Sequence, residues 1–192
     1  MAGAGRVVLR ALRADDAETM FAYRADPEVA RYQSWQPQSV DELRAFIASL
    51  ARAEPYAPGT WYQLGIALPG DGAPAGDGTP IGGALIGDCG VHVLAKEPRQ
   101  AEFGMTLAPA WQGRGLATAA LEALFTVLFG ALGKHRVFGS IDPRNARSIA
   151  LVERAGMRRE AHHRESLWFK GEWADDVVYA LLRREWLARA RR

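Results

Sequence analysis

The chain has 192 residues, 48% hydrophobic and 24% charged, with a formal net charge of +2 at pH 7. That length supplies one core of ordinary size, so a single domain over residues 1–192 is expected. The near-neutral balance excludes a whole-surface field for nucleic acid, and the lone Cys89 excludes an internal disulfide framework or a CxxC zinc site.

The opening "MAGAGRVVLRALRADD" carries charges where a signal peptide needs an apolar core, and no window is long enough to span a bilayer. A cytoplasmic protein without membrane or nucleic-acid partners is expected. "RVVLRAL" reads as a first strand, Arg6 to Arg10, and Asp15 with Glu18 resembles a capping box opening the helix "AETMFAYRA". Asp26-Pro27 starts a short second segment, "PEVARY", and the loop "QSWQPQ" follows. In "SVDELRAFIASLARA", Val40, Leu43, Ile47 and Leu50 recur at the spacing of one helix face.

"TWYQLGIAL" and "TPIGGALIGDCGVHVL" read as strands joined by a Gly/Pro-rich hairpin loop at 69–80. Cys89 sits in an apolar run, as a buried inert thiol does. The strand "QAEFGMTL" leads through "APAWQGR" into a very apolar helix carrying Leu116, Ala120, Leu121, Leu124, Val127 and Leu128, which must be covered on most sides. "HRVFGSID" is a strand. "NARSIALVERAG" is a short helix with Asn145 as N-cap and Gly156 at its stop. "MRREAHHRESLWFK" and "WADDVVYALL" form a closing hairpin around Lys170-Gly171, and the tail "RREWLARARR" is a solvated helix face with Trp186 and Leu187 packed. The order β-α-α-β-β-β-α-β-α-β-β describes a mixed α/β fold with helices on both faces of a sheet.

A strand that passes through a glycine-bearing loop into a helix builds an anion site, because unpaired N–H groups converge there and the helix dipole adds positive charge. Gly113 and Gly115 open the backbone of "WQGRGLAT", and Arg114 adds a cation. The physics specifies a polyphosphate. No GxxxxGK[ST] run exists. "GRGLAT" fits a GxGxxG dinucleotide fingerprint poorly, since Thr118 holds the last position and no βαβ unit opens the chain.

"QGRGLA" does match the Q/R-x-x-G-x-G/A signature of the GNAT superfamily of acetyl-CoA-dependent N-acetyltransferases, and the order of elements is similar over nearly the whole chain. "AEFGMTL…WQGRGLATAALEAL…DPRNARSIALVERAGM…GEWADDVVYALLRREW" resembles the RimJ/RimL-like branch, which acetylates ribosomal-protein N-termini. The resemblance implies a mostly antiparallel twisted sheet of six to seven strands, flanked by about four helices plus a short C-terminal one. It implies acetyl-CoA as co-substrate and no metal. Gln112, Gly113, Arg114, Gly115, Leu116, Ala117 and Thr118 would cradle the pyrophosphate. Met105, Thr106 and Leu107 would pair with the pantetheine arm at a bulged, splayed strand. Asn145 would touch that arm, and Ser148 would contact it and protonate the leaving thiolate.

Many members carry a tyrosine acid where this chain has Val152; a thiol with a pKa near 8.5 leaves tolerably without one. An ammonium must lose a proton before it attacks, so a base is needed. Glu160 and Glu102 match family acids, Glu160 ahead, though Ala161 replaces the usual following glycine; each also reads as a strand carboxylate paired with an arginine. His162 and His163 point to opposite faces of a strand, one packed and one wet. Trp35, Tyr32 and Trp168, with Trp173, flank the acceptor side, Trp35 foremost. The acceptor is a primary amine, either a peptide N-terminus or a small amine such as an aminoglycoside or polyamine. Asp175-Asp176 is the only acidic cluster in the sequence near that cleft, which argues against a polycation. A homodimer is among the assemblies open to the chain. A non-catalytic acyl-CoA-binding protein and a nucleotide-dependent oxidoreductase are the competing classes.

Overall fold

In a computed structural model, residues 5–70 and 83–189 are described. The Gly/Pro-rich loop expected at 69–80 lies, from residue 71 onward, outside them. The strands are β1 (Val8–Ala11), β2 (Trp61–Ala67), β3 (Leu85–Val93), β4 (Gln100–Leu107), β5 (Arg136–Ile141), β6 (Arg158–Phe169) and β7 (Glu172–Leu182). The helices are α1 (Ala17–Arg24), α2 (Pro27–Ala30), α3 (Val40–Leu50), α4 (Leu116–Phe125), α5 (Ala146–Arg154) and α6 (Arg183–Arg189). The seven strands form one sheet in the order β1-β2-β3-β4-β5-β7-β6, and every pairing is antiparallel except β4 with β5.

The local signals act largely as read. Asp26 accepts the Glu28 N–H at 2.8 Å and Ser39 Oγ accepts that of Glu42 at 3.1 Å, so both helices start on short polar caps. Asn145 Oδ1 accepts the Ser148 N–H at 3.1 Å, and Gly156 closes α5 at φ 78°. The first strand begins two residues later than expected, because Arg6 is drawn aside to donate to the Arg114 carbonyl at 2.8 Å. The Asp15/Glu18 capping box does not form. Asp16 instead accepts the Arg13 N–H at 2.7 Å and Arg10 Nη1 at 2.6 Å, since the buried Arg10 guanidinium needs a countercharge, while Glu18 pairs with Arg44.

Alternation along β3 sorts the two layers. Cys89, Val91 and Val93 enter the core under α4, where Leu121, Leu124, Phe125, Leu128 and Phe129 are wholly buried. Each such side chain contributes roughly 1.5–3 kcal/mol of burial. Six further residues, Thr126–Ala131, extend α4 as a wider turn. On the other face Met20, Leu43 and Ile47 form a second cluster with Leu85. Asp88 points to that side and is fully buried. It accepts hydrogen bonds from Tyr23 Oη at 2.5 Å, Arg24 Nε at 3.0 Å, Arg24 Nη2 and Gln63 Nε2 at 2.5 Å. This hub ties α1 to the sheet.

The β4–β5 pairing positions the site. It covers only Gln100↔Arg136, Ala101↔Val137 and Glu102↔Phe138, whereas β4 stays paired with β3 as far as Leu107. Beyond Glu102 the two strands diverge. The Phe103 ring occupies the root of the gap, and Gly139 leaves room for it: a Cβ there would lie 3.2 Å from the ring. The expected bulge is absent, because the β3–β4 register runs without a shift; the departure is all on the β5 side.

Candidate active site

The loop before α4 turns through Gly113 at φ 73° and Gly115 at φ 75°, a left-handed conformation that costs other residues about 1–2 kcal/mol. Gln112 anchors the loop by donating from Nε2 to the Leu107 carbonyl at 2.9 Å. Arg114 lies over the Trp111 ring at 5.1 Å. The first amides of α4 have no partner within the helix. A Cβ on Gly113 would meet nothing within 4 Å, so the backbone there is open. Across the gap, Arg147 of α5 reaches Gln112 Oε1 at 3.4 Å, a cation that sequence reading passed over. These residues suit a pyrophosphate, and the unpaired edge of β4 leads away from them toward the sheet centre.

That edge opens into a cleft of ≈ 320 Å³. Met105 and Gly104 of β4, Asn145 and Ser148 of α5, and Val152 line it, together with Glu102. Thr106 and Leu107 are buried, so they offer backbone, and Thr106 Oγ1 is a buried hydroxyl without a hydrogen-bond partner. A Cβ on Gly104 would also meet nothing within 4 Å. The residues fit an extended arm running from the glycine loop along β4.

Among the described residues, four carboxylates line the same cleft, Glu102, Asp142, Asp175 and Asp176, and no lysine, arginine or histidine does. Asp142 is neutralised by Arg144 at 2.7 Å, and Asp175 is paired with His162 at 2.7 Å. Asp176 accepts only the Ser140 hydroxyl, at 2.5 Å, and Glu102 has His92 Nδ1 at 3.9 Å. Burial pushes the Glu102 carboxyl above its ordinary range; His92 opposes the shift and the charge of Asp176 adds to it. The acidity expected from Asp175-Asp176 alone is thus doubled by residues from β4 and the end of β5.

Other expected residues fall elsewhere. Glu160 is outside the cleft lining, held by Arg136 at 2.7 Å and Arg158 at 2.7 Å. Trp35 is also outside it: its ring packs on Phe46 at 4.8 Å, under the Arg24 guanidinium at 4.9 Å. Tyr32 does line the cleft and donates to the Arg144 carbonyl at 3.3 Å. Trp168 is 60% exposed and packs edge-on against Trp173 at the hairpin tip, whose Leu167 and Phe169 reach the cleft. His162 and His163 are both exposed, on β6 at the edge of the sheet. Cys89 is fully buried and its thiol is shifted upward by that burial, which leaves it inert. Sequence reading placed Asp176 near the cleft but missed Trp61 and His92. The one available signal was Gly90 in "DCGVHV", which makes room for the Trp61 ring.

Residues 6–158 match the acetyltransferase (GNAT) domain family, and the chain belongs to it. It is an acetyl-CoA-dependent N-acetyltransferase. An uncharacterised N-acetyltransferase, p20 of Bacillus licheniformis, is 26% identical over 182 residues, 94% of this chain and 95% of the relative. A putative ribosomal N-acetyltransferase, YdaF of Bacillus subtilis, is 38% identical over 104 residues, 54% of this chain and 57% of the relative. The structure of the spermidine N-acetyltransferase of Vibrio cholerae with CoA and spermine has the same fold: the TM-score is 0.75 at 21% identity, covering 95% of this chain and 98% of that one.

Proposed function

We propose that the chain acetylates a small, positively charged primary amine held in the Glu102 cleft. The observation that carries this reading is the cleft lining itself, which among the described residues has four carboxylates and no basic side chain. A cation entering it meets Glu102 and Asp176, neither of which is neutralised by lysine or arginine. The spermidine acetyltransferase of the same fold is in keeping with such an acceptor. The second reading is a protein N-terminus, favoured by the RimJ/RimL-like sequence pattern and by the ribosomal relative. It calls for the same α-ammonium site with a peptide lying between Tyr32 and the β6–β7 hairpin.

Acetyl-CoA supplies the activated acetyl thioester. Residues Gln112–Thr118 hold its pyrophosphate through main-chain N–H groups and the dipole of α4, with Arg114 and Arg147 adding charge. Met105, Thr106 and Leu107 offer the unpaired β4 backbone to the pantetheine arm, and N–H groups there polarise the thioester carbonyl. Asn145, already the cap of α5, sits beside the same arm. Glu102 takes the proton from the ammonium, and its raised pKa brings it nearer the working pH of a base. Glu160, charge-paired twice and outside the cleft, is the weaker candidate for that role. Ser148 returns a proton to the thiolate. Val152 is a buried, apolar cleft residue and takes no part in proton transfer.

Two measurements test the proposal. A thermal-shift titration should respond to acetyl-CoA and CoA, by about 2.7 kcal/mol at roughly 100 times Kd, and not to NADH or ATP. Gly115→Trp should abolish that response; its retention refutes the glycine-loop assignment. Thiol release should then be faster with diamines and polyamines than with Ala- or Ser-initiated peptides. The reverse preference establishes the second reading.

A further inference from the structure

One row of side chains crosses the sheet beside the cleft. The strand registers place Trp61 opposite His92 and His92 opposite Glu102, so three neighbouring strands each contribute one member. Trp61 stacks on the imidazole, with ring centroids 5.2 Å apart and planes 20° from parallel. Gly90 permits this: a Cβ there would stand 3.1 Å from the indole. His92 is part-exposed, whereas Glu102 faces the cleft that the acceptor fills. Glu102 of β4 is the charged group against the imidazole, with Asp176 of β7 acting on Glu102 from beyond; the β2 neighbour, Trp61, is neutral.

We propose that His92 is a positioning residue and the proton outlet for Glu102, its ring held in place by Trp61. The inference rests on the amine-acetyltransferase reading with Glu102 as base. The proton balance gives such an outlet one proton to carry per turnover. An ammonium and a thioester become an amide, a free thiol and one proton, and that proton begins on Glu102. A carboxylic acid left in an acid-lined cleft must lose its proton before the next turnover, and the Glu102 side chain is only 26% exposed. Transfer from Glu102 Oε2 to His92 Nδ1 regenerates the carboxylate; the imidazolium then releases its Nε2 proton to water, and proton exchange of the part-exposed ring with water restores the Nε2–H tautomer before the next turnover. The contact distance is 3.9 Å, so the transfer requires the Glu102 carboxylate to turn toward Nδ1 or one water to bridge the two. Histidine suits the task because its ordinary pKa lies near neutrality.

The test is steady-state thiol release by wild type, His92→Ala and His92→Gln, with a diamine acceptor and with added imidazole. Expected is a loss in kcat of about 10-fold or more in both variants, with KM for acetyl-CoA unchanged. Imidazole should restore His92→Ala and leave wild type unaffected, a rescue that a merely structural histidine would not show. A second readout needs no turnover. Trp61 emission, isolated as the difference between wild type and Trp61→Phe, should fall as the stacked imidazole protonates, and the step should vanish in His92→Gln. Equal kcat in all three proteins, or a loss that imidazole leaves untouched, overturns the inference alone. A wild type that binds acetyl-CoA yet acetylates no amine overturns the acceptor reading and this inference together.

Discussion

Asp88→Asn is the substitution with the largest effect that the structure foretells. The carboxylate is wholly buried on β3, and its partner Arg24 is 6% exposed at the side chain. Oδ2 accepts Tyr23 Oη and Arg24 Nε, while Oδ1 accepts Arg24 Nη2 and Gln63 Nε2. An amide in its place turns a nitrogen toward two of those donors and leaves the guanidinium charge without compensation. Breaking a buried pair from one side costs about 3–5 kcal/mol, a large share of a typical stability of roughly 5–15 kcal/mol. At about 2–4 °C per kcal/mol for a chain of this size, Tm should fall by roughly 10 °C.

Urea unfolding at constant m-value is the assay, with Arg24→Met and the double variant completing a cycle. Removing the orphaned charge should recover about 1–3 kcal/mol, so the double variant should be more stable than additivity allows. The same hub fixes the approach to the cleft, because Arg24 also lies over Trp35 and donates to its carbonyl at 3.3 Å. The loop that carries Tyr32 should therefore loosen and the amine KM rise, while the acetyl-CoA thermal shift persists. A loss below about 1 kcal/mol for Asp88→Asn, or strict additivity in the cycle, refutes the reasoning.

Glu102→Gln should lower kcat by about 100-fold or more with acetyl-CoA affinity retained, measured by thiol release and thermal shift; unchanged turnover removes the base assignment. The same variant should raise Tm at neutral pH. Burial lifts the folded-state pKa of Glu102, so its contribution to stability is present at low pH and lost as pH rises through that value. Wild-type turnover should rise with pH over the same window as the carboxylate forms, which a pH–rate profile checks. Gly104→Leu projects into open space at the strand gap, so calorimetry should show a folded protein that has lost its acetyl-CoA shift. Gly90→Ala places a Cβ 2.7 Å from Gln63 Oε1 and 3.1 Å from Trp61. It should cost about 1–3 kcal/mol by overpacking and move Trp61 emission.

The amino-acid sequence by itself determined the features whose physics is local. Gly113 and Gly115 announced left-handed turns at a helix mouth, and Asn145 announced a cap three residues before Ser148. The apolar circumference of α4 required cover on most sides, and the hairpin at Lys170-Gly171 followed from its turn residues. Each depends on neighbours within about one helical turn or one tight turn, so the chain displays it without folding. The glycine loop and the helix it opens were legible for that reason, and the order of motifs was enough to point to the family.

The acidic cleft was decided by strand register. Trp61, His92 and Glu102 come from three strands, and Asp176 joins them from a fourth. Glu102 and Asp176 stood out in sequence only as separate acids, and nothing marked Trp61 or His92 as their neighbours, because side chains meet across a sheet according to which residues are paired, and pairing is a non-local property. Glu160 and Trp35 were singled out on position in sequence, yet packing directs one to two arginines and the other onto Phe46. Asp88 is one polar residue in an apolar strand and becomes the buried anchor of α1, because only the folded chain brings Tyr23, Arg24 and Gln63 around it.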